Sequence, residues 1–190
     1  MSDVDPRMLG IHPGTVYDNA DPKGLGRARV KIPGLCDSPA TAWAWPFGWP
    51  GAGGTDRGSF RPPPRGASVV VFFRQGDPDA AWYACGHFGK PGGTSQVPEP
   101  AKSAGANAHQ VQVVLESDRW RISADDRDAS PYLAIEDKTM GNKIEIDGKT
   151  GGVLIDAKVA LQLKAIGVVS IEGLQVVING RTVRPGSDPI

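Results

Sequence analysis

The side chains best suited to acid–base or metal chemistry are His12, His87 and His109, and no two of them stand at H-x-H or H-x-x-x-H spacing. A metal site needs several nitrogen, sulfur or carboxylate ligands converging on one point, and the sequence offers no such motif. Cys36 and Cys85 form no CxxC pair, so both read as small buried apolar residues of a chain folded in a reducing compartment. Glu99 lies in a linker-like stretch, while Glu116 and Glu136 alternate with apolar residues. That is the pattern of a solvated strand face, not of a paired general acid and base. The acids of SADDRDAS (Ser123 to Ser130) read as a turn, without the regular oxygen spacing of a calcium loop. The glycine-rich stretches PGAGGTDRGS and GKPGGTS lack G-K-[ST] followed by a helical pattern, so no phosphate cradle is expected. No catalytic, cofactor-binding or metal residue is assigned.

The densest aromatic cluster is Trp43, Trp45, Phe47 and Trp49. Such rings could stack nucleotide bases. The 21 basic and 21 acidic residues balance, however, so no broad basic surface exists to neutralise a phosphate backbone. Nucleic acid is not expected as a partner. Trp43 is expected in a core, and Trp45, Phe47 and Trp49 at a protein interface.

The elements that must position these residues are short. Gly 25 and Pro 17 favour many strands joined by turns over long helices, and the expected class is all-β. RARVKI (Arg27 to Ile32), ASVVVFF (Ala67 to Phe73) and AWYACGHF (Ala81 to Phe88) read as strands of one compact barrel or sandwich, with Gly76, Asp77 and Pro78 turning between the last two. Residues 90–109 are poor in large apolar side chains and read as a linker between a domain at 1–89 and another at 110–190. Beyond it, QVQVVLE, RWRIS, YLAIED, NKIEID, GGVLID, VALQLKA, GVVSIE and LQVVING alternate apolar and polar residues. This short-period pattern predicts a β-solenoid or β-prism.

A narrow ribbon of such strands cannot enclose a core. Three chains around one axis would bury Ile144, Ile146, Val153, Ile155, Leu161, Leu163, Ile171, Val176 and Ile178 against their copies. Lys143, Glu145, Lys158, Gln162, Lys164 and Gln175 would then face water. An intramolecular sandwich satisfies the same periodicity. The N-terminal MSDVDPRMLG has no signal-peptide pattern, and no run approaches the roughly 20 apolar residues of a membrane span.

GTVYDNADPKGLGRARVKIPG (Gly14 to Gly34), then WAWP (Trp43 to Pro46), then RPPPRGASVVVFFRQGDPDAAWYACGHF (Arg61 to Phe88) resembles the OB-fold domain of phage baseplate central-spike proteins. That family includes baseplate assembly protein V and the VgrG spikes of type VI secretion. The matching positions include Gly14, Asp21, Pro22, Gly26, Arg27, Pro33, Gly34, Trp43, Pro46, Gly66, Gly76, Asp77 and Pro78.

The resemblance implies an N-terminal OB-fold barrel followed by a C-terminal intertwined trimeric β-helix. It also implies a mechanical part, not an enzyme: a homotrimer in the virion tail baseplate, assembled in the host cytoplasm, docking on the hub protein and piercing the target envelope. Trp45, Phe47 and Trp49 become candidates for hub contact. Some family members carry an iron-binding H-x-H at the needle apex or an embedded lysozyme, and this sequence has neither the pair nor room for the domain. Its polar end NGRTVRPGSDPI suggests a blunt needle capped by a separate PAAR-like tip protein. A type VI or extracellular-injection spike, or an OB module binding oligonucleotide or sugar, are the alternatives.

Overall fold

The computed structural model describes residues 6–50 and 52–183. The described residues are all-β apart from short helical segments, and the chain divides into two units, with the boundary between Val97 and Pro98. That boundary falls inside the stretch read as a linker. The stretch is not featureless, because α1 (Ala101–Ala104) and a 3-10 segment (Gly105–Gln110) occupy its second half, with Ala101 and Ala104 buried.

In the first unit β1 (His12–Asp18), β2 (Arg29–Lys31), β3 (Trp45–Pro46), β4 (Ser68–Phe73) and β5 (Ala81–Cys85) form one curled sheet in the order β2-β1-β4-β5-β3. An antiparallel bridge between Ala28 and Ala44 brings the segments preceding β2 and β3 together and closes the barrel. The Thr41 hydroxyl accepts the Val30 N–H at 2.9 Å, and the Thr41 N–H donates to the Val30 carbonyl. These bonds pair backbone that no neighbouring strand reaches.

Alternation fills the barrel. Val69, Val71 and Phe73 of β4 point inward with Val16, Ala28, Val30, Ile32, Ala44, Ala81 and Tyr83. Each fully buried aliphatic side chain stabilises the unit by about 1.5–3 kcal/mol. Gly76 (φ +75°) with Asp77, whose carboxylate accepts the Asp79 N–H, makes the turn joining β4 to β5, as the Gly-Asp-Pro run predicts.

Two glycines leave room where a side chain would collide. A Cβ on Gly14 would press into Val30 and the Lys31 carbonyl of the paired strand β2, and one on Gly26 (φ +72°) would enter the Trp49 ring. Trp49, expected at an outer interface, therefore lies half-buried against the core with Phe60 edge-on at 5.3 Å. Trp43, expected in the core, is instead only half-buried, with the Arg27 guanidinium over its ring. Cys36 is half-buried beside the same core, and burial raises its thiol pKa.

In the second unit β6 (Val111–Glu116), β7 (Trp120–Asp125), β8 (Tyr132–Asp137), β9 (Lys143–Asp147) and β10 (Val153–Asp156) make an antiparallel meander in sequence order. Each strand pairs with the next, and a bulge at Val113/Leu115 shifts the first pair. A separate hairpin follows, β11 (Val176–Ile178) and β12 (Arg181–Val183), turning on Asn179 and Gly180, both at positive φ. The runs VALQLKA and GVVSIE form no strand, and the described residues of the single chain form no β-helix. The polar end NGRTVRPGSDPI read as a blunt tip begins with the turn and second strand of the β11–β12 hairpin, and its remainder beyond Val183 lies outside the described residues.

Three consecutive strands of the meander end on an aspartate that closes the following turn. Asp125 accepts the Arg127 N–H and is paired to the Arg127 guanidinium at 2.6 Å. Asp137 accepts the Thr139 and Met140 N–H groups and the Arg119 guanidinium, and Asp147 accepts from Lys149 and Thr150. Arg127 holds the Asp125 carboxyl below the usual range, and the Thr150 hydroxyl does the same for Asp147. At Asp137 burial acts upward, but Arg119 and the turn amides leave it lowered.

Two tests follow from these placements. Gly26→Ala combines a positive φ with overpacking and is expected to destabilise the first unit by about 2–4 kcal/mol. Gly24→Ala, at φ +64° in open space, should cost only about 1–2 kcal/mol. Denaturant unfolding followed by tryptophan fluorescence measures both, since four of the five tryptophans, Trp43, Trp45, Trp49 and Trp82, lie in that unit. For the meander, depressed carboxylates mean that the unfolded state binds protons first. Their contribution is complete above the ordinary aspartate value of about 3.9 and is lost as pH falls through the lower folded values. Circular dichroism should show strand signal decaying only below about pH 4, and Asp137→Asn should flatten that decay.

Candidate assembly surfaces

In the first unit the sequence motif converges on one carboxylate. Asp21 accepts N–H bonds from Lys23 (3.0 Å), Leu25 (2.8 Å) and Arg27 (3.2 Å), and pairs with the Arg27 guanidinium at 2.6 Å. Arg27 holds its pKa far below the usual carboxylate range. Pro22 begins the enclosed turn, and Gly24 and Gly26 complete it at positive φ. The Tyr83 hydroxyl reaches from the core to donate to the Gly26 carbonyl at 2.6 Å. The guanidinium lies 5.7 Å from the Trp43 ring centre and 5.5 Å from that of Trp45, within cation–π range. Asp21, Gly26, Arg27 and Trp43, scattered over the sequence motif, are thus one cluster.

The remaining motif positions serve turns. Gly34 (φ +72°), after Pro33, donates its N–H to Asp37, and Gly66 (φ +84°) donates to the Val16 carbonyl. Pro46 pairs in β3 opposite Tyr83.

Trp45 and Phe47 stand on the outer face, and Phe47 is 56% exposed. Phe47 meets Phe72 edge-on at 5.2 Å and Trp82 at 6.3 Å, and Trp82 lies 6.5 Å from Trp45. Phe72 and Trp82 are directly opposite each other on β4 and β5. The sequence reading missed these two, because each lies between inward-pointing neighbours of its own strand. Alternation does place them on the outer face.

The second unit presents a larger surface. Its register sets Leu115, Ile122, Ile135, Ile144 and Ile155 side by side across all five strands, with Ala124, Leu133, Ile146 and Val153 as a second row on the same face. Ile144 is 46% exposed and Val153 68%. On the opposite face Glu116, Arg121, Glu136, Lys143 and Asp156 align in alternating sign. Arg121 bridges Glu116 at 2.7 Å and Glu136 at 3.4 Å, while Lys138 pairs with Glu116 and Lys143 with Glu145. Lys143 and Glu145, expected to face water, are therefore half-buried in this network, and it is the isoleucine face that the single chain leaves open. Leu161, Leu163, Ile171 and Ile178 are likewise exposed and Val176 half-buried, with Lys158, Gln162, Lys164 and Gln175 also exposed.

Among the described residues there is no group of three or more His, Cys, Asp or Glu side chains arranged to hold a metal ion, and no helix long and apolar enough to cross a membrane.

A small, curled five-stranded barrel of this kind, closed around an apolar core, is an OB fold. Residues 12–88, within the first unit, match the model of the type VI secretion system/phage-baseplate injector OB domain, in agreement with the resemblance read from Gly14 to Gly86. No curated protein matches the chain.

Two substitutions separate surface from scaffold. Phe47→Ser should change stability by no more than about 0.5–1.5 kcal/mol, the value of its exposed edge-on contacts. Tyr83→Phe strips the buried Gly26 carbonyl of its donor and should cost about 1–3 kcal/mol. Thermal melts of the two variants against the parent chain test the ordering.

Proposed function

We propose that this protein is a structural spike of a contractile injection machine, a phage tail baseplate in the first reading. In this account it is a homotrimer without an active site. The OB units dock on the hub protein through Trp45, Phe47 and their neighbours, the C-terminal half forms the needle that crosses the target envelope, and a PAAR-like protein caps it. Assembly takes place in the host cytoplasm. A spike of a bacterial type VI or extracellular injection system uses the same geometry.

The observation that carries this reading is the pair of apolar rows, Leu115 to Ile155 and Ala124 to Val153, open on one face of the meander. Contiguous exposed apolar surface of this kind marks an interface. A closed cyclic assembly covers it on every copy at once. The injector OB domain at residues 12–88 supplies the setting, and the self-paired charge network on the other face offers no unsatisfied charge to a substrate.

Light scattering on the purified chain tests it. A mass about three times the 20.0 kDa protomer is expected, falling toward the protomer in an Ile144→Lys, Ile146→Lys double variant that keeps the parent's strand signal. A monomeric parent chain at micromolar concentration would remove the reading.

A further inference from the structure

On the meander, Arg119, Arg121, Arg127, Lys138, Lys143 and Lys158 each stand against a carboxylate of the same unit. Beside the outer face of β1 and β2, three cations have none. Arg29 donates to the Thr41 carbonyl at 3.3 Å, Arg65 donates its Nε–H to the Tyr17 carbonyl at 2.9 Å, and Lys31 stands opposite Thr15 in the ladder. Among the described residues none of the three forms an ion pair. The aspartates of this unit serve their own turns instead. Asp18, aligned with Arg29, accepts the Ala20 N–H, Asp37 accepts from Gly34, and Asp77 accepts from Asp79. Residues 1–98 contain no glutamate, whose longer arm could reach across strands. Tyr17 gathers two of the unpaired charges. Its ring is 43% exposed, with the Lys31 Nζ 4.7 Å and the Arg65 guanidinium carbon 5.9 Å from its centre, within cation–π range. The Nε–H bond fixes the Arg65 guanidinium, whose terminal nitrogens have no partner among the described residues. That is the edge which grips a carboxylate in bidentate fashion. Two like charges at one ring repel each other, and an anion relieves the repulsion while pairing with both.

We propose that Tyr17, Lys31 and Arg65 form an interaction surface for an acidic segment of a partner protein. Arg65 and Lys31 take its carboxylates, and the Tyr17 ring packs on their apolar stems. The surface lies on the β1–β2 side of the sheet, whereas Trp45, Phe47, Phe72 and Trp82 gather about β4, β5 and β3. It does not depend on the oligomeric reading above. Nucleic acid fits less well. Cations already hold the ring on which a base would stack, and so few charges do not make the track that a phosphate backbone follows.

Fluorescence anisotropy of a labelled polyglutamate peptide titrated with the full chain tests this, beside a labelled oligothymidylate, each at low and at physiological salt. The peptide is expected to bind, and to bind more weakly as salt rises. Lys31→Glu with Arg65→Glu should weaken binding at least about tenfold. Arg74→Glu with Lys90→Glu makes the same charge change on exposed side chains outside this surface, and should leave binding within about twofold of the parent. Arg65→Lys keeps the charge but not the fork and should fall between the two. Thermal melts check that each variant keeps the parent's fold. Three results would each overturn the proposal: no polyglutamate binding at low salt, an equal loss in both charge-reversed pairs, or tighter oligothymidylate binding that Lys31→Glu with Arg65→Glu abolishes. The last would make the surface one for nucleic acid.

Discussion

A β-sheet has two faces, and in its second unit this chain supplies a finished surface for only one of them. The strand period of two sends alternate residues to opposite sides, so the row of Glu116, Arg121, Glu136, Lys143 and Asp156 on one side obliges the row of Leu115, Ile122, Ile135, Ile144 and Ile155 on the other. Neither row can be altered by register without the other. A one-residue slip of any strand would set charge among isoleucines and isoleucine among charges. The charged row adds a second lock, since each opposite-sign neighbour favours its own pairing by only about 0.2–1 kcal/mol but four such pairs act together.

The first unit solves the same problem internally by curling. Its inner face is filled by Val16, Val30, Val69, Val71 and Tyr83, and its closure runs through Ala28 and Ala44, residues small enough to let the two segments meet. Asp21 and Arg27 then fasten the turn that leads into that closure. Burying such a pair is tolerable because the carboxylate also receives three backbone N–H groups, leaving little unmet hydrogen bonding. The outer aromatic group of Trp45, Phe47, Phe72 and Trp82 is a consequence of β4 and β5 being apolar on both sides.

Much of this was legible in the residue order, for reasons that differ from place to place. Gly14, Asp21, Gly26 and Arg27 could be read because tight turns and close strand contacts restrict residue type. The strands β6 to β10 could be read because alternation is a local property. What alternation cannot reveal is whether a strand finds a partner. VALQLKA is as regular as NKIEID, but only the latter has neighbours within the chain. The role of Trp49 depended on the bare backbone at Gly26, which offers it a seat near the core, and that of Trp43 on the Arg27 guanidinium over its ring. The alternating charge row emerges only after turn lengths and the Val113/Leu115 bulge have set the register, and the stretch at 90–109 hid its buried Ala101 and Ala104 behind a loop-like composition.

The aspartate-closed turns have an implication for how such a chain could change over generations. Because Asp125, Asp137 and Asp147 each satisfy amides of the turn that follows, a strand carries much of its turn's bonding with it, and the bonds that an insertion or deletion must renew run only to the next turn at the same end of the sheet, as from Arg119 to Asp137 and from Gly148 to the Pro131 carbonyl. Each strand gained or lost alters the sheet's width by about 4.8 Å, and modules taken in pairs preserve the direction in which the chain departs. The dimension of this half of the molecule is thus adjustable in fixed increments by duplication alone, without redesign of the barrel that precedes it.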